Sequence, residues 1–186
     1  INQANNSVVD SIMVFASGKF SWSPLYIILI GLLIHNYKTK AIYAVLMVII
    51  AVGLSDLISV HLFKNVFQRL RPCYEPGLAD VINNIVGCGG KYGFVSSHAT
   101  NTFAIIIVVL KILGSKYKSL NWIMIVWGLL IIYSRVYLGK HYPMDVIAGS
   151  ILGLTIGWIV YFLGNLILSK YLNKTDNNGA PFFHTK

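Results

Sequence analysis

Apolar and polar positions fall in long blocks along this chain. Five apolar blocks, Phe20 to Tyr37, Ala41 to Phe63, Tyr92 to Leu110, Ser119 to Ser134 and Val146 to Ser169, have the character of membrane spans. A spanning helix needs about 20 mostly apolar residues at ~1.5 Å of rise each. Residues 1–18 are too short and polar to span. Val8, Val9, Ile12, Met13, Phe15 and Ala16 nevertheless recur there at helical spacing and make one face apolar. Ser7 with Asp10 reads as a capping box and Gly18 as a stop, which predicts an interfacial helix lying on the membrane surface. The blocks together predict an all-α, polytopic membrane helix bundle of five transmembrane helices plus this N-terminal amphipathic helix. Residues 1–172 are expected to form one domain, and 173–186 a polar, disordered tail.

Composition sharpens this picture. Of 186 residues, 56% are hydrophobic and only 11% charged, against about 25% charged in a soluble domain. The net charge of +9 could suit nucleic acid, but the basic residues are scattered through short loops between apolar blocks. That is the pattern of positive loops in a membrane protein, and no nucleic-acid partner is expected. The six acidic residues do not cluster, and no Cys or His pair has zinc spacing. Neither a metal site nor a cofactor is expected.

Passing the chain back and forth through a bilayer brings three polar stretches to one side: 64–71, 96–98 and 135–145. The opposite side receives Lys38, Lys40, Lys111, Lys116, Lys118, Lys170, Lys174 and Lys186. With Lys64, Arg71 and Arg135 set aside for a site, the first side keeps only Lys19, Arg69, Lys91 and Lys140. The bias favours the lysine-rich side as cytoplasmic and places the polar stretches on the extracytoplasmic (periplasmic) face of the inner membrane.

Each stretch has an ordinary and a chemical reading. Lys64 and Arg71 are seven apart, two turns on one face if the helix persists, and could simply snorkel from a helix end. Ser96 and Ser97 before His98 read as N-caps, but a helix start is also an anion site, and His98 could protonate a leaving oxygen there. Pro143 suits the first helical position of the last span, which puts His141 just outside it and Asp145 in its first turn. There Asp145 can accept from one imidazole nitrogen and free the other as nucleophile, or merely complement the helix dipole. Burying such groups is costly unless they pair or bind something. Cations and N–H groups suit a tetrahedral oxyanion, and two histidines of opposite role suit attack and departure.

Lys64 to Pro72 reads K-x6-R-P and Ser134 to Asp145 reads S-R-x5-H-x3-D. Between them Val95-Ser96-Ser97-His98 stands where P-S-G-H would complete a set. In these motifs the chain resembles the type-2 phosphatidic acid phosphatase superfamily, from about residue 41 to 165. It departs at Val95 for proline and Ser97 for glycine. The resemblance implies a helical membrane bundle and a metal-independent lipid phosphatase. It implies that Lys64, Arg71 and Arg135, with Ser96 and the Ser97 backbone, bind phosphate. His141 would be the nucleophile, Asp145 its orienter and His98 the general acid. The expected partners are the bilayer and a lipid phosphate, undecaprenyl diphosphate first and a lipid A phosphate or phosphatidylglycerol phosphate next. The oligomeric state stays open.

Other residues carry weaker expectations. Asp56, inside the second span, is expected to support the site rather than to catalyse. His61 is expected to be interfacial. Residues 87–92 lack the spacing of a P-loop and read as a turn. Cys73 and Cys88 flank the long loop, and a disulfide suits an extracytoplasmic setting. A transporter is the rival of another class, but its polar groups would lie at mid-membrane between related halves. A lipid-binding protein without catalysis would be expected to have lost a histidine or the aspartate.

Overall fold

The computed structural model describes residues 6–172 together with 182 and 183. The described residues are mostly helical, with a long stretch between 68 and 96 of turns, extended segments and one isolated bridge. The helices are α1 (Ser7–Ser17), α2 (Ser23–Tyr37), α3 (Ala41–Ile58), α4 (Asn65–Phe67), α5 (Ser97–Leu113), α6 (Lys118–Tyr137) and α7 (Pro143–Leu172). Ser23–Phe67 is 45 residues of apolar helical chain. As one rod it would measure about 67 Å, twice the bilayer's hydrocarbon thickness. Lys38 (φ 48°) breaks it, and a 3-10 turn, Lys38–Lys40, leads into α3. Lys118–Tyr137 and Pro143–Tyr171 are also long and apolar enough to cross a membrane, whereas α5 is a shorter apolar helix.

α5 is the centre of the bundle and packs against α3, α6 and α7. Its most extensive interface is with α7, where Gly149, Gly153 and Gly157 recur every four residues. A Cβ at Gly153 would lie 2.2 Å from the Thr100 carbonyl oxygen, and one at Gly149 2.8 Å from that of Ser96. Small residues let two backbones meet where no hydrophobic gain separates protein from lipid. The outer faces carry Ile27, Ile42, Leu46, Ile151, Trp158 and Phe162, all exposed, as lipid-facing surfaces require.

Several boundaries differ from expectation. Asn6, not Ser7, caps α1, its side chain accepting from the Val8 N–H at 2.9 Å; Asp10 instead accepts from the Tyr137 hydroxyl at 2.7 Å. α1 packs Met13 against Tyr137 and Leu138 and leaves Val8, Ile12 and Phe15 exposed. The third span starts at Ser97 rather than Tyr92, because residues 92–93 are drawn into pairing with 69–70. Of the expected tail, only 182 and 183 lie among the described residues. Both are buried, with Phe182 edge-on to Tyr43 and Phe183 edge-on to Tyr37, so this pair is not a loose polar end.

Candidate active site

The second span does not continue as an α-helix to its basic residues. A π-helical turn, Ser59–Lys64, follows α3, and Gln68 in the left-handed region (φ 47°) ends the helix after α4. Arg71 therefore does not share a helix face with Lys64, as the seven-residue spacing suggested. It sits on an extended segment (φ −71°, ψ 154°) before Pro72, where an α conformation is disfavoured. That segment pairs antiparallel with 91–93: Leu70 bridges Tyr92, Gly93 N–H donates to Arg69 O at 2.9 Å, and Arg71 N–H to Lys91 O at 3.1 Å. The Arg71 guanidinium donates to Cys88 O at 3.1 Å and Tyr92 O at 3.3 Å. Cys73 and Cys88 are joined by a disulfide, their Cα atoms 6.0 Å apart.

Lys64 and Arg71 nevertheless reach the same place. Two adjoining cavities, about 670 and 510 Å³, share Lys64, Arg71, Ser97 and His98 in their walls. The smaller also holds Arg135, Lys140 and His141, and the larger runs past Asp56, Tyr26, Asn101 and Thr102. The three polar stretches thus converge at one end of the bundle. Lys64 Nζ donates to Ser97 Oγ, which is also 2.7 Å from Ser59 Oγ. Ser96 caps α5 but is wholly buried, its Oγ unpaired, and its N–H donates to Asp145 O at 3.0 Å. Ser97, rather than Ser96, faces the cavities.

Pro143 opens α7, with His141 just before it and Asp145 in the first turn. His141 Nδ1 lies 3.5 Å from Asp145 Oδ2. Asp145 is fully buried; Oδ2 accepts the Tyr142 N–H at 2.9 Å, and Oδ1 accepts from Arg69 at 3.1 Å. Gly93 seals this corner: a Cβ there would lie 3.1 Å from Arg71 Cγ and 3.3 Å from Asp145 Oδ2. Burial pushes the His141 imidazole down to about 4, against an opposing pull from Asp145, and Arg135 and Arg71 lower it further. Burial also lowers the Arg71 guanidinium and the Lys140 ammonium.

Arg135 is held from an unexpected direction. Its guanidinium donates to Ser17 Oγ at the end of α1, while its buried Nε has no partner. Ser17, Gly18 and Lys19 line both cavities. Sequence reasoning did not assign Ser17, Lys19, Lys140 or Arg69 to the site. Arg69 alone carried a signal, because residues two apart in an extended segment point the same way. No group of three or more His, Cys, Asp or Glu that could hold a metal occurs among the described residues. The cavity has a surplus of positive charge, one neutral imidazole with a carboxylate 3.5 Å from its Nδ1, and a second imidazole in the same wall. Such a site can hold a tetrahedral dianion and attack it.

A family model described as the PAP2 superfamily matches residues 22–166. A lipid A 4'-phosphatase of Porphyromonas gingivalis is 32% identical over 176 residues, covering 92% of this chain and 73% of that protein. The undecaprenyl-diphosphatase BcrC of Bacillus subtilis is 27% identical over 165 residues, covering 88% of this chain and 79% of that protein. The crystal structure of a transmembrane PAP2 type phosphatidylglycerolphosphate phosphatase from Bacillus subtilis superposes with a TM-score of 0.65. That match covers 93% of this chain and 83% of the other at 23% identity, and bears on the fold alone.

Proposed function

This chain belongs to the PAP2 superfamily and is an integral membrane enzyme that hydrolyses lipid phosphate esters, and we propose that it does so through a phosphohistidine at His141. The observation that carries this reading is the meeting of a buried His141–Asp145 pair with Lys64, Arg71 and Arg135 around one cavity. Nδ1 faces Asp145 Oδ2 at 3.5 Å, so Nε2 is the nitrogen left to attack phosphorus. The P–O bond to the lipid breaks as His98, protonated once the phosphate dianion is bound beside it, gives that proton to the leaving oxygen. Water then attacks phosphorus, the P–N bond to His141 breaks, His98 takes up the water's proton, and inorganic phosphate leaves. Lys64, Arg71, Arg135 and the Ser97 N–H neutralise the equatorial oxygens. Fixed cations and backbone dipoles fill the electrostatic role that a metal plays elsewhere, so the step is metal-independent.

The substrate we favour is an acylated sugar phosphate of the lipid A type. The lipid A 4'-phosphatase relative supports it. So does the larger cavity, where Asp56, Tyr26, Asn101 and Thr102 offer hydrogen bonds to a sugar beside the reacting phosphate. A lipid diphosphate is the second reading, supported by the undecaprenyl-diphosphatase relative. The site opens on the extracytoplasmic face of the inner membrane, in keeping with the lysine-rich opposite side. The test uses ³²P-labelled lipid A and detergent-purified protein. An acid-labile phosphoprotein that is trapped in wild type and absent from His141→Ala supports the intermediate. Release abolished by a chelator and restored by a divalent ion contradicts the metal-free step.

A further inference from the structure

The geometry points to Arg69 as a positioning residue for the reaction: it holds the Asp145 carboxylate that orients the nucleophile and offsets its charge. Arg69 lies outside the motif residues Lys64, Arg71 and Pro72, yet it makes the one side-chain ion pair to Asp145 other than His141 among the described residues. Its guanidinium donates to Asp145 Oδ1 at 3.1 Å and stacks over the Tyr142 ring at 4.2 Å. Its carbonyl accepts the Gly93 N–H, and a Cβ on that glycine would lie 3.3 Å from Asp145 Oδ2. Backbone pairing, ring stacking and the ion pair therefore all fix the same side chain. A fully buried carboxylate needs such partners, and a planar fork stacked on an aromatic ring is pre-organised for it.

The same extended segment explains why two arginines stand two residues apart. Arg69 and Arg71 point to one side of the chain, and the structure divides their work. Arg71 lines both cavities, whereas Arg69 lines neither and is spent on Asp145. The division matters for His141. Asp145 on α7 pulls the imidazole toward its charged form, while Arg135 on α6 and Arg71 on the extended segment oppose that pull. Arg69 blunts the carboxylate and so helps keep His141 neutral and ready to attack. Removing Arg69 should leave Asp145 with more uncompensated charge and raise the pH at which His141 titrates.

This inference rests on His141 as nucleophile, so the test includes a readout independent of turnover. The His141 imidazole resonance, assigned by its loss in His141→Ala, is titrated by NMR in detergent. In Arg69→Gln the midpoint should move up by roughly half a pH unit or more. In Arg69→Lys, which keeps the charge, it should stay near wild type. On lipid phosphate, Arg69→Gln should lower kcat about tenfold or more and shift the acid limb of kcat/KM the same way. The double variant Arg69→Gln/Asp145→Asn should be no slower than Asp145→Asn alone, because the two act as one unit. A midpoint that stays put in Arg69→Gln, or losses that multiply in the double variant, would overturn the assignment. An inactive wild type with a shifted midpoint would instead fault the proposed function and leave the pairing standing.

Discussion

His141 Nδ1 and Asp145 Oδ2 are 3.5 Å apart across the first turn of α7, with 2% and 0% of their side chains exposed. Burial and the carboxylate act on the imidazole in opposite directions, and burial wins, leaving His141 at about 4. A neutral imidazole is the nucleophilic form, so kcat/KM should carry no His141 limb between about pH 5 and pH 8. Asp145→Asn removes the raising pull, so the acid limb should move to lower pH. It also loses the acceptor that orients the ring, so kcat should fall by about 100-fold or more. A pH–rate profile of both proteins checks both signs.

The same shift makes a statement about stability. A histidine whose folded value is depressed below 6.5 contributes stability above the unfolded value, and that stability is lost as pH falls toward about 4. Thermal midpoints in detergent should decline across that window in wild type and decline less in His141→Ala.

Ser17 on α1 accepts from Arg135 on α6, so the amphipathic helix forms part of the wall of the site. Ser17→Ala should weaken phosphate binding by about 1 kcal/mol, roughly a fivefold rise in KM, with kcat largely kept. Initial rates against lipid concentration in mixed micelles check this split.

Gly153 has no room for a side chain against Thr100. Gly153→Val should push α5 from α7 and cost about 1–3 kcal/mol, whereas Gly31→Ala, facing open space, should cost far less. Detergent-resistance midpoints of the two variants give the comparison.

Phe182 and Phe183 pack edge-on against Tyr43 and Tyr37, near the end of α5 opposite Ser97. Replacing both with alanine should cost about 3 kcal/mol of stability while kcat/KM of the folded enzyme stays unchanged. Unfolding midpoints and specific activity, measured on one preparation, separate the two effects.

Much of this arrangement was legible in the sequence, because in a membrane chain hydropathy fixes topology and topology brings polar loops together. The convergence of 64–71, 96–98 and 135–145 followed from counting crossings, and the placing of His141, Pro143 and Asp145 followed from proline's preference for a helix start. The route of the chain between Lys64 and Pro72 was not legible. A π-helical turn and a left-handed Gln68 leave no mark in a periodicity argument, and pairing of 69–71 with 91–93 is a contact between distant residues. Ser17 was hidden for the same reason, since it reaches Arg135 only when α1 docks on α6. The exchange of Ser96 for Ser97 at the cavity wall depends on the exact phase of α5, which began five residues later than hydropathy implied.

The most direct test of the central claim is phosphate release by detergent-purified wild type and His141→Ala. The panel is lipid A, undecaprenyl diphosphate, phosphatidylglycerol phosphate and phosphatidic acid. Release from lipid A above the others, lost to background in His141→Ala, is the predicted result. Release that survives the loss of His141 would contradict it.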